Sequence, residues 1–81
     1  MSKPHITLDA RGLVCPEPVI EAEQALRAQA AGCRLTVLAT DPAAPIDFEA
    51  WCHHQGHAYL GCTERDAWLE IVLRKGPPKA G

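Results

Sequence analysis

The sequence has no excess of charge of either sign, no long apolar run and no pair of cysteines at C-x-x-C spacing. Eight basic against ten acidic residues leave a net charge of −2, which offers no basic surface for direct nucleic-acid binding. No stretch approaches the ~20 apolar residues of a membrane-spanning helix. No charged leader followed by an apolar segment opens the chain. The expected setting is therefore cytoplasmic, with no membrane contact. Cys15, Cys33, Cys52 and Cys62 are separated by 18, 19 and 10 residues, which excludes a thioredoxin-type dithiol. In a reducing compartment, four free thiols are expected rather than a disulfide scaffold. No repeat or interdomain linker divides the 81 residues. One domain is expected over 1–76, with 77–81 a disordered tail. A chain this short buries only about 60% or slightly more of its unfolded surface, so chemistry is expected at the surface rather than in an enclosed cavity.

What is present is a clear alternation of patterns. HITLDA, 5–10, alternates with Ile6 and Leu8 on one face and reads as a half-buried strand. VIEAEQALRAQAA, 19–31, is rich in helix formers and sets Val19, Ala22, Leu26 and Ala30 on one stripe, with Gly32 as its stop. RLTVLA, 34–39, reads as a buried strand. TDPAAP leads into a second helix with Phe48, Trp51 and Cys52 inward and Gly56 at its end. HAYLGC, 57–62, is a weaker strand, 63–66 a polar turn, and AWLEIVLR, 67–74, the clearest strand. The order β-α-β-α-β-β predicts an α+β fold, a two-layer α/β sandwich. Its four-stranded mixed sheet has two helices on one face, a parallel first pair and a closing antiparallel hairpin.

Within this frame, GLVCPEP, 12–18, is the unusual stretch. Gly12 turns the chain, and Cys15 is placed at the N-cap of the first helix. Pro16 then falls at the first helical position and Pro18 at the third, where a missing N–H costs no intrahelical bond. A helix N-terminus favours thiolate over thiol. Glu17 opposes that effect and Arg11 offsets Glu17 if the turn brings it close, so modest activation of Cys15 is expected. His5 is the one candidate for a nearby base, but a domain this small gives it no cleft. A lone thiol on a rigid turn, with no resolving cysteine, suits accepting a group and passing it on. A small buried apolar cysteine is the competing structural reading.

LDARGLVCPEPVI, 8–20, resembles the signature of the TusA/SirA-like small sulfur carriers, and the resemblance extends through ATDP, 39–42, and LRKG, 73–76. The C-P-x-P segment is its specific part. The resemblance implies the same β-α-β-α-β-β sandwich and a carrier-type sulfurtransferase in which Cys15 bears a transient persulfide, with no cofactor. Sulfur is then received from a cysteine desulfurase or a rhodanese-like donor and relayed to a downstream acceptor protein, toward tRNA thiolation or sulfur oxidation. Gly12, Pro16, Glu17 and Pro18 are expected to shape the site. A non-catalytic regulatory or interaction module on the same fold is the alternative.

Three other features compete for a role. Cys52, His53, His54, His57 and Cys62 lie close in sequence but match no standard zinc spacing. Solvated histidines beside core cysteines, and no metal, are the reading. Trp51 is expected in the core and Trp68 on the uncovered sheet face. Arg11, Arg74 and Lys75 are candidate contacts for a partner, although solvated charges of this kind need no purpose.

Overall fold

A computed structural model describes residues 4–77. The strands are β1 (His5–Ala10), β2 (Arg34–Ala39), β3 (Ala58–Glu64) and β4 (Leu69–Arg74), with α1 (Glu17–Arg27) between β1 and β2 and α2 (Ala44–Gln55) between β2 and β3. They form one sheet in the order β1-β2-β4-β3. β1 runs parallel to β2, pairing Ala10 with Ala39, while β4 is antiparallel to both β2 and β3. The expected α+β sandwich is thus the observed architecture. Residues 1–3 and, of the expected tail, 78–81 lie outside the described residues.

Strand alternation decides which face is covered. Leu35, Val37 and Ala39 of β2, with Ile71 and Leu73 of β4, point to the helices and are fully buried. Against them pack Ala22 and Leu26 of α1 and Ala44, Phe48 and Cys52 of α2. Among the described residues no polar or charged side chain is buried, so the core between the two layers is held by apolar burial. The opposite face stays open, with His5 of β1 hydrogen-bonded to Thr36 of β2 at 2.8 Å.

Element ends differ from those expected, for reasons of pairing. β3 runs to Glu64 because Thr63 and Glu64 pair with Glu70 and Leu69. An irregularity between Tyr59 and Gly61 keeps the register. The turn moves to 65–68, closed by Arg65 N–H on Trp68 O at 2.8 Å, and Ala67 falls outside the strand. α1 ends at Arg27, short of Gly32 and Ala30.

Lys75 explains that early stop. Its Nζ donates to the carbonyls of Leu26 (2.7 Å), which also accepts Gln29 N–H at 3.0 Å, and of Gln29 (2.5 Å), at the end where helix carbonyls lose their regular partners. A cation there also complements the helix dipole. Lys75→Met should therefore cost about 1–2 kcal/mol, since charge-assisted bonds are lost and the carbonyls recover water only in part. Urea unfolding, compared at constant slope, checks this.

The chain then closes on Gly56, the left-handed C-cap of α2 (φ 79°). Gly76 N–H donates to His57 Nδ1 at 2.9 Å, which requires a neutral ring with its proton on Nε2. Burial, with the Lys75 ammonium second, holds the His57 pKa below its ordinary value. The unfolded chain therefore takes up the proton more readily than the folded one. This contribution is complete above the unfolded value of about 6.5 and is lost as pH falls through the lower folded value. The melting temperature should drop between about pH 7.5 and about pH 5, and drop less in His57→Gln.

Candidate functional site

Because β1 and β2 are parallel neighbours, the turns that leave their carboxyl ends lie side by side. The first is closed by Leu13 N–H on Ala10 O at 3.2 Å, with Gly12 at φ 85°. That backbone region favours glycine. Thr40 and Asp41 of the second turn fasten the first. Gly12 N–H donates to Thr40 Oγ1 at 2.9 Å, and Cys15 N–H donates to Asp41 Oδ2 at 2.9 Å. Asp41 Oδ1 also accepts from Ala43 N–H at 3.0 Å, so one carboxylate ties the approach to both helices. The Ala43 and Cys15 amides hold the Asp41 pKa below its usual range.

Cys15 is exposed at this junction. It lies one residue before the N-cap, which is Pro16, so Glu17 opens α1 and Pro18, buried, is its second residue. The offset arises because Glu17 N–H bonds Val14 O at 2.9 Å, forming a turn through Cys15 and Pro16 before the helix begins. Pro16 O then accepts the first helical bond, from Ile20 N–H at 3.2 Å. Sequence spacing had set both prolines one position deeper.

The electrostatics overturn the expected activation. Asp47, in the first turn of α2, brings its carboxylate to the Cys15 thiol and favours the protonated sulfur. That contact, then desolvation and the charges of Asp47 and Asp41, raise the Cys15 pKa above its ordinary value. Two nearby carboxylates outweigh the partial charge of a helix end. Glu17, the acidic neighbour in sequence, is not the one that acts. Arg11 does not offset it either. Its Nε and Nη2 grip Asp9 at 2.9 and 2.8 Å, and its guanidinium lies 5.2 Å from the centre of the Trp68 ring. That bidentate pair holds the Asp9 pKa down to about 2. Trp68 is half-buried as expected and donates to Glu70 at 3.2 Å.

Other candidates lie elsewhere. Arg74 pairs in register with Arg34 at the start of β2. It and Lys75 therefore sit at the opposite end of the sheet from the Cys15 turn, with the six-residue length of β2 between them. Lys75 is committed to the end of α1, so neither forms part of the Cys15 site. His5 lies at that far end too, held by Thr36, and is no base for Cys15. The Cys52–Cys62 group disperses. Cys52 is buried, Cys62 is exposed on β3, His53 and His54 are exposed on α2, and the His57 ring lies tilted against Trp51 with ring centres 5.0 Å apart. Among the described residues, no three His, Cys, Asp or Glu side chains gather as metal ligands. Sequence reasoning missed Thr40, Asp41 and Asp47. ATDP was visible as a turn, but nothing local shows that its carboxylate reaches Cys15.

Comparison with known proteins agrees with this geometry. Residues 6–75 match the family described as Sulfurtransferase TusA. The sulfur carrier protein TusA of Pseudomonas entomophila is 48% identical over 69 residues, covering 85% of this chain and 86% of the relative. That of Pseudomonas putida strain GB-1 is 47% identical over 72 residues, covering 89% and 90%. The crystal structure of a SirA-like protein from Desulfitobacterium hafniense superposes with a TM-score of 0.77 at 33% identity, covering 88% of this chain and 97% of the other. With its fold, its Cys-Pro-Glu-Pro turn and nearly its whole length matched, the chain belongs to the sulfurtransferase TusA family.

Proposed function

We propose that this sulfur carrier accepts persulfide sulfur on Cys15 from a cysteine desulfurase or rhodanese-like donor and relays it to an acceptor protein. One observation bears most of the weight: Cys15 is the only cysteine at the carboxyl ends of the parallel strands, exposed and fixed through its own backbone by Asp41. Cys33 and Cys52 are buried. This placement favours an intermolecular exchange over an internal disulfide.

In the charging step the Cys15 sulfur attacks the outer sulfur of the donor persulfide. A new S–S bond forms as the donor's own S–S bond breaks. The Cys15 proton ends, through solvent, on the departing donor thiolate. The products are Cys15–S–SH and a donor thiol, with no external oxidant or reductant. Discharge is the same exchange with the acceptor thiolate as nucleophile. Gly12, Pro16, Glu17 and Pro18 serve as the frame: Gly12 permits the turn, and the prolines fix the entry to α1.

Intact-mass measurement after incubation with a cysteine desulfurase and cysteine, or a rhodanese and thiosulfate, tests the reading. Wild type is expected to gain one reducible sulfur on Cys15, and Cys15→Ser none. If wild type stays unloaded with both donors and with inorganic polysulfide, the interaction-module reading replaces it. Acceptor assays then separate tRNA thiolation from sulfur oxidation.

A further inference from the structure

Four large apolar side chains stand exposed among the described residues: Val14 (62%), Ile20 (49%), Ile46 (73%) and Leu60 (40%). Three of them belong to the end of the fold where Cys15 lies and where both helices begin. Val14 precedes Cys15, Ile20 is in the first turn of α1, and Ile46 is in the first turn of α2 beside Asp47. Single exposed apolar residues are ordinary, but several at one end of a fold, beside charged residues, suit an interaction surface. The polar members here carry one sign. Asp41 and Asp47 face Cys15 from the second turn and from α2, and Glu17 is exposed at the start of α1. The ion pairs of the described residues are Arg11–Asp9, Arg27–Glu23 and Arg65–Glu70, and neither Asp41 nor Asp47 is in one. Arg11, the cation nearest in sequence, is turned away onto Asp9 and Trp68.

We infer that this face is read by a partner protein that presents a cationic side chain ringed by apolar ones. The cation pairs with Asp47 and Asp41 while the apolar ring covers Val14, Ile20 and Ile46. That the partner is a sulfur donor or acceptor rests on the carrier reading; the chemistry of the surface does not. Docking has a chemical consequence. Because the Asp41 carboxylate lies on the Cys15 amide at 2.9 Å, a cation paired with it and with Asp47 adds positive charge beside the sulfur, which favours the thiolate. The S–H bond then breaks, its electron pair stays on sulfur, and the proton passes to water. Cys15 is thus a better nucleophile in the complex than in the free chain. Acidic or purely polar surfaces are rejected by like charge and by the uncovered apolar rim.

A short peptide of alternating leucine and arginine is the probe, with its leucine–glutamate counterpart as control. The leucine–arginine peptide should shift the amide resonances of 14–20 and 44–48 and speed iodoacetamide alkylation of Cys15 several-fold. Ile46→Ser and Ile20→Ser should weaken binding, and Asp47→Asn should abolish the rate effect. Equal binding of the glutamate peptide, shifts elsewhere, or an unchanged alkylation rate with the bound peptide would each overturn the inference. Failure of wild type to load from polysulfide would count against the carrier reading alone, because the peptide experiment involves no sulfur transfer.

Discussion

Alanine at position 76 is expected to lower the melting temperature by about 10–20 °C, the shift that a loss of about 2–3 kcal/mol produces in a domain of this size. The site explains the size of the effect. A Cβ on Gly76 would stand 1.8 Å from the carbonyl oxygen of Gly56 and 2.8 Å from its carbon. Both are backbone atoms, so no side chain can swing aside. Gly56 is not free to yield, since its N–H and that of His57 both close on Cys52 O at the end of α2. To admit a methyl group, 75–76 must move outward. That movement strains the Gly76–His57 bond and pulls Lys75 from the end of α1. The loss should therefore overlap with that of Lys75→Met rather than add to it in the double variant. Circular dichroism melts of the four proteins check both points; a Gly76→Ala melt within a few degrees of wild type would refute the packing account.

Asp47→Asn should increase the alkylation rate of Cys15 several-fold at neutral pH. The sign follows from which form each partner favours. The Asp47 carboxylate favours the protonated thiol and repels a thiolate, so it raises the Cys15 pKa. Asparagine removes the charge while keeping the shape, and the thiolate becomes accessible at lower pH. The pH–rate profile of wild type should rise with a midpoint above the ordinary cysteine value, and that of Asp47→Asn should move to lower pH with the same plateau. Asp41→Asn should act in the same direction but more weakly, because its carboxylate is engaged with two backbone amides and reaches the thiol by charge alone. Superimposable wild-type and Asp47→Asn profiles would show that Asp47 does not control the sulfur. Faster alkylation need not mean faster transfer: a variant that reacts readily with a small reagent loses the carboxylate proposed to meet the partner's cation.

Both results depend on neighbours that a linear reading does not see. Local patterns determined the elements and the fold. Alternation at Ile6 and Leu8, or at Leu69, Ile71 and Leu73, places a strand face with no outside information, because side chains in a strand point to opposite sides at every step. Proline positions fixed where α1 begins to within one residue, and Gly56 ended α2 as its left-handed cap requires. Cys15 stood out for the same reason, as a lone thiol in a turn that glycine and proline define.

Tertiary structure decided the rest. The Cys15 pKa reverses direction because parallel pairing of β1 and β2 sets two turns beside each other and so brings Asp47 of one helix to the thiol at the start of the other. Lys75 reads as a solvated terminal charge until the antiparallel course of β4 delivers it to the carbonyls of α1. A pKa, a helix cap and a steric limit at glycine are all set by neighbours across space. The sequence therefore determined which residues form each element and which sulfur is presented, and the packing of those elements decided how that sulfur behaves.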